Sequence, residues 1–244
     1  MPAENVFPLT VRLAGRKLCS SGFTMAVVAG LPAFLVFLGL RDSQATAMRF
    51  FLFFFPYVFL VASQDMVGTE LHGGGLENVL FLGGRFRTYL WQKNLALAGA
   101  AGAYAAGVFM ILAVWGLARG AFDPFSVVQL GLGFLAGVYY VAVAGALSYG
   151  LKAGSNVVVI LLVQAAAVIG LIFSTTSRTG FIDHLAAGRF SGLKSRLLFF
   201  GLASVFPNLI VSRRLIHGGL VVLAGLGLAL FFQKARLRRL ELRR

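Results

Sequence analysis

The sequence predicts an all-α integral membrane protein, and three observations carry the prediction. Of its 244 residues 59% are hydrophobic and only 12% are charged, whereas a soluble domain averages about 25% charged. Mean hydropathy is +0.86. Six apolar runs also approach or exceed the roughly 20 residues a helix needs to cross a hydrocarbon core about 30 Å thick. One cysteine, Cys19, leaves no disulfide framework. The apolar excess excludes a disordered chain.

Taken in order, the predicted spans are 19–40, 48–67, 95–117, 125–150, 155–174 and 215–233, within a single transmembrane domain, 1–244. The first run follows "VRLAGRKL" and is too long for a signal-peptide core, so it reads as a retained span. Between spans 5 and 6, "LLFFGLASVFPNLIV" is apolar but short, holds Pro207 and Asn208, and is followed by Arg213 and Arg214. A re-entrant or surface-lying helix over about 196–212 suits it better than a span.

Lysine and arginine set the orientation. With six spans and both termini cytoplasmic, the inner side carries Arg12, Arg16, Lys17, Arg85, Arg87, Lys93, Lys152 and the six cations of the tail "QKARLRRLELRR". The remaining cations, largely between Arg178 and Arg214, fall outside. A seven-span chain would put the tail outside and lose this bias. The net charge of +14 then reads as an anchor on anionic membrane lipids, with no module for nucleic acid.

Small residues punctuate the spans. Gly133 with Gly137 and Ala103 with Gly107 form small-xxx-small pairs that let helix backbones approach closely. Gly131-x-Gly133-x-x-Ala136 imitates a dinucleotide fingerprint, but no strand precedes it and it lies inside a span.

The chemistry of an enzyme is missing. The eight acids are Glu4, Asp42, Asp65, Glu70, Glu77, Asp123, Asp183 and Glu241, and no two have metal-ligand spacing on one helix face. His72, His184 and His217 are scattered. "GRFSGLKS" (188–195) misses the P-loop pattern because Leu193 stands where a glycine must approach phosphate. The chain is therefore expected to have no catalytic, metal or cofactor site of its own, and any ATP hydrolysis belongs to another subunit. Intramembrane polarity is sparse. Gln164 is the main polar residue well inside a span, and Asp65 with Gln64 sits near a span end.

The most informative stretch joins spans 2 and 3, "SQDMVGTELHGGGLENVLFLGGRFRTYLWQKNLAL". Gly73, Gly74 and Gly75 permit a sharp turn. Leu76, Val79 and Leu80 then fall at i, i+3 and i+4, one apolar helix face turned away from Glu77 and Asn78. Gly83 and Gly84 end it, and Arg85, Arg87 and Lys93 sit beside Tyr89 and Trp91 as an interfacial belt. The pattern predicts a short amphipathic helix on the cytoplasmic surface, hinged by glycine at both ends.

These residues resemble a family. "ELHGGGLENVLFLGGRFRTYLWQK" is similar to the stretch after the second span of ABC-2 type transporter permeases, E-x-x-x-G-x-L-x-x-L-L-x-x-P-x-x-R-x-x-x-x-x-x-K. Glu70 matches the leading acid, Gly74 the small residue, Leu76, Val79 and Leu80 the apolar face, and Arg85 and Lys93 the basic pair. Gly83-Gly84 stands roughly where the family favours proline. More loosely, "FIDHLAAGRFSGL" resembles the H-x-x-x-x-G segment some members carry before the last span, with His184 followed by Gly188 at a slightly shorter spacing.

The resemblance implies a transmembrane subunit of an ABC exporter in a prokaryotic inner membrane. It would move an unidentified substrate, dimerise with a second copy or a paralogue, and take its energy from a separate ATPase subunit that binds ATP and Mg. The coupling segment would be 68–93, with polar contacts from Glu70 and Glu77. A secondary carrier or a non-transporting scaffold are the alternatives, and the scarcity of intramembrane charge and of matched halves weighs against the carrier.

Overall fold

In the computed structural model the described residues are 22–64, 86–151, 154–176, 181–188, 190 and 192–242. Among them every regular element is a helix. Helix α1 is Gly22–Arg41, α2 Gln44–Phe54, α3 Pro56–Ala62, α4 Phe86–Ala118, α5 Phe125–Leu147 and α6 Ser155–Thr176. After these come α7 Phe181–Ala187, α8 Leu193–Val205, two 3₁₀ turns at Pro207–Val211 and Ile216–Gly218, and α9 Gly219–Leu242. Among the described residues five helical stretches are long and apolar enough to cross a membrane: Gln44–Ala62, Trp91–Ala118, Phe125–Leu147, Ser155–Phe173 and Ile216–Arg236. The apolar part of α1, Ala26–Arg41, falls short of that length. A multi-pass membrane protein is the coarse conclusion.

Two of the predicted spans differ in build. Span 2 starts four residues early, at Gln44, and is two helices, α2 and α3, broken at Phe55 and Pro56. Proline lacks the N–H the ladder needs and crowds the carbonyl four residues back. Ser43 caps α2, its hydroxyl accepting from Thr46 N–H at 3.1 Å. Span 3 lies inside α4, whose 33 residues make about 50 Å of helix. Its start at Phe86 reaches well back into the stretch read as an interfacial belt, because no glycine or proline interrupts 86–98.

Helix directions follow from contacts. Tyr104 of α4 donates to Val28 O of α1 at 2.7 Å, and Gly39 of α1 packs against Trp115 of α4, so these helices are parallel. Gln44 Nε2 reaches Leu112 O near the end of α4 at 2.7 Å while Phe59 lies beside Gly102 nearer its start, so α2–α3 runs back against them. Gly225 against Tyr139 and Gln233 Nε2 on Ala142 O at 2.6 Å make α9 parallel to α5. One end of the bundle, the Asp123 face, therefore gathers the end of α1 and the turn from α4 to α5. The opposite Gly150 face gathers the ends of α3, α5 and α9 and the start of α4.

Helix α5 is the hub, packed by α2, α3, α4, α6, α9 and the first 3₁₀ turn. Its small residues make this possible. A Cβ on Gly137 would lie 2.6 Å from the Phe59 ring, and one on Gly133 would collide with Phe55, so the Gly133–Gly137 pair seats α2 and α3. The other predicted pair makes no close helix contact among the described residues: Ala103 and Gly107 are exposed, with nothing within 4 Å of a Cβ on Gly107. Buried Ala101 and Ala105 face the core instead, because the inward register of α4 is set by Leu97, Val108 and Leu112.

Candidate functional site

Of the residues predicted to form the coupling element, Glu70, Gly74, Leu76, Glu77, Val79, Leu80 and Arg85 lie outside the described residues. Lys93 is described. It sits near the start of α4 on the Gly150 face and is 6% exposed. Beside it, Gln92 Oε1 and Asn94 Oδ1 are buried acceptors with no hydrogen-bond partner among the described residues. The other root of the segment is Gln64, whose carbonyl accepts from Gly154 N–H at 2.8 Å, next to the α5–α6 turn. Gln64 and the start of α4, the described residues on either side of 65–85, thus lie at one face.

The second feature is a polar circuit in the apolar interior, and two of its members, Asn208 and Gln164, bond backbone carbonyls at helix ends. Pro56 splits α2 from α3, and in hydrocarbon a freed backbone carbonyl must find a donor. Phe53 O finds Asn208 Nδ2 at 2.6 Å. Asn208 Oδ1 in turn accepts from Tyr140 Oη at 2.7 Å. Tyr140 Oη accepts from Gln164 Nε2 at 2.7 Å, and Gln164 Oε1 accepts from Tyr57 Oη at 3.0 Å. The chain starts at Tyr57, just after the break, and ends at Phe53, just before it. Donor meets acceptor at every step, so the circuit has a single direction. Tyr57 and Tyr140 also stack, with ring centroids 5.4 Å apart.

The same groups hold the segment between α6 and α9. Helix α8 ends at Val205, and its last carbonyls are taken by side chains: Val205 O by Gln164 Nε2 at 2.8 Å and Ser204 O by Tyr139 Oη at 2.9 Å. Pro207–Val211 then turns back, with Asn208 and Ile210 fully buried and Gln129 Nε2 on Val211 O at 3.0 Å. Arg213 reaches Asp123 at 2.5 Å, and Gly188, at φ +65°, would place a Cβ 2.8 Å from Arg214 O. So residues 188–214 enter from the Asp123 face, reach the level of Tyr140, and return to the same face. That is an inserted hairpin rather than a surface-lying helix. His184 is exposed on α7, while His217 packs at 4.7 Å on the Phe199 ring.

The sequence pointed to Gln164, Pro207 and Asn208 but not to Tyr57 or Tyr140. The available signal was a proline at 56 and a tyrosine pair at 139–140 inside apolar runs, where a hydroxyl must find a partner. Chemically the circuit contains only hydroxyls and carboxamides. It positions helices. Among the described residues no group of three or more His, Cys, Asp or Glu could hold a metal ion. The chain matches no protein-family model, no curated protein and no solved structure.

Proposed function

We propose that this chain is the membrane subunit of an ABC exporter of the ABC-2 type, with six spans and both termini cytoplasmic in a prokaryotic inner membrane. Two such subunits, identical or paralogous, enclose the pathway for a substrate yet to be identified. Separate ATPase subunits carry ATP and Mg and dock on residues 68–93. The observation that carries this reading is the sequence from Glu70 to Lys93, an acid, three glycines, apolar residues at i, i+3 and i+4, and a basic pair. Its setting supports it. Both roots of the segment lie on the Gly150 face, where Gln92 and Asn94 hold buried acceptors without donors among the described residues, an unfavourable state unless another group supplies them.

In this mechanism ATP-bound ATPases prefer one arrangement of the coupling segments, since a ligand shifts an equilibrium only by its differential affinity for two states. Leu76, Val79 and Leu80 fill an apolar groove on the ATPase, and Glu70 and Glu77 make polar contacts at its edge. Movement there passes to α3 and α4, which flank the segment in sequence.

Co-purification in nanodiscs with a candidate ABC ATPase subunit tests the reading. The wild type is expected to retain the ATPase and stimulate its turnover, and Glu70→Arg with Glu77→Arg to lose both while the permease stays folded. If no ATPase is retained and charge reversal changes nothing, a stand-alone carrier or a scaffold is the better account.

A further inference from the structure

The hairpin mouth on the Asp123 face combines two features that the circuit does not use. Helix α8 turns Phe199, Leu202 and Ala203 inward and leaves Leu193, Leu197 and Leu198 exposed at 75%, 60% and 52%. Phe200 continues the strip at 37% exposed. From Leu193 to Phe200 this strip descends about 10 Å along the helix, within the depth of one leaflet of a core about 30 Å thick.

Cations surround the upper end of the strip. Lys194 and Arg196 are exposed in its first turn, and Arg196 Nε lies 3.4 Å from Phe190 O. Phe190 and His217 both pack on Phe199, which brings the Arg213–Arg214 turn to the same rim. Arg213 is steadied by Asp123 and by the Phe125 ring, 4.2 Å from its guanidinium carbon. The acids at this rim are Asp123, already engaged by Arg213, and Asp183 of α7. Cations are in excess.

We infer that the mouth of the hairpin binds an anionic phospholipid, with its phosphate at Lys194, Arg196 and the Arg213–Arg214 turn and an acyl chain along Leu193, Leu197 and Phe200. A soluble acidic protein would meet the charge but leave the strip uncovered. A neutral lipid would cover the strip but leave the charge. An anionic phospholipid matches both, since basic residues at a membrane surface attract anionic headgroups and an apolar helix face buries among the chains. The inference needs only a membrane-embedded bundle and is independent of the ATPase.

Photoreactive phosphatidylglycerol and phosphatidylcholine with the same acyl chains, added to the full chain in nanodiscs, provide the test through mapped cross-links. The expected result is labelling of 193–200 by phosphatidylglycerol at least several-fold over phosphatidylcholine. Lys194→Gln with Arg196→Gln is expected to cut that labelling on the order of tenfold. Lys194→Arg with Arg196→Lys should retain it, as should Lys234→Gln with Arg236→Gln at the far end of α9. Equal labelling by the two lipids overturns the inference, and so does labelling that survives charge removal. Loss of labelling in excess inorganic phosphate would make this a small-anion site and also overturn it. Unchanged circular dichroism and elution volume establish that each variant is folded.

Discussion

Asn208 has no exposed surface in an apolar interior, and its two carboxamide atoms join different helices. Nδ2 satisfies Phe53 O of α2 while Oδ1 accepts from Tyr140 of α5. Asn208→Leu removes both bonds and leaves a carbonyl and a hydroxyl stranded, which predicts a loss of about 2–3 kcal/mol in detergent unfolding. Tyr140→Phe keeps Asn208 on Phe53 and should cost about 1 kcal/mol. The double variant is expected to lose less than the sum, by up to about 1.7 kcal/mol of coupling. Strict additivity would mean the two side chains do not communicate. Steric dependence is as local: Gly137→Val puts methyl groups into the buried Phe59 ring, predicting about 1–3 kcal/mol of destabilisation from overpacking. At this scale the sequence was half legible. Gln164 and Asn208 stand out because polar residues are rare in the spans. Tyr57 and Tyr140 do not, since tyrosine is common in apolar segments and its partner is set by helices up to 107 residues away.

Helices in this chain are broken by proline and mended by neighbours. Pro32 lies inside α1, and the carbonyl four residues earlier, Val28 O, receives the hydroxyl of Tyr104 at 2.7 Å. The pairing is specific enough to test. Tyr104→Phe should cost about 1 kcal/mol in unfolding free energy, because Val28 O then lacks both a backbone and a side-chain donor. Pro32→Ala restores an N–H for that carbonyl, so in its background Tyr104→Phe should be nearly neutral. An equal cost in both backgrounds would show that the bond does not answer the proline. Element existence was readable from run length alone, and the positions of five predicted spans fall on membrane-length stretches. Element ends were less so. The apolar run defining span 3 begins near 95, yet α4 starts at Phe86, because hydropathy marks where lipid begins and not where the backbone stops being helical. The hairpin after α6 could be read as an anomaly from Pro207 and Asn208, but its depth depends on side chains of α5 and α6.

Across the whole molecule the helix directions alternate, and this sorts the chain's charges onto two faces without reference to any family. The ends of α1 and α4 and the return of the hairpin place Arg41, Arg119, Arg213 and Arg214 together on the Asp123 face. The end of α9 places Lys234 and Arg236 on the other, with the start of α4. The predicted excess of cations on the Gly150 side includes many residues before 22 and after 242, beyond those described, so single-cysteine accessibility is the decisive measurement. In a Cys19→Ser background, Asp42→Cys, Gly120→Cys and Ser212→Cys should share one pattern of labelling by a membrane-impermeant maleimide in whole cells. Gly150→Cys should show the opposite pattern. A cytoplasmic Gly150 face requires the first three to label in intact cells and Gly150→Cys to label only after lysis. The reverse pattern would keep the bundle but invert it, moving segment 65–85 outside and removing it from the reach of any ATPase. Labelling of Asp42→Cys and Gly120→Cys from different sides would contradict the parallel packing of α1 on α4, which rests on Tyr104 and Trp115. The fold and the functional proposal therefore fail under different outcomes of one experiment.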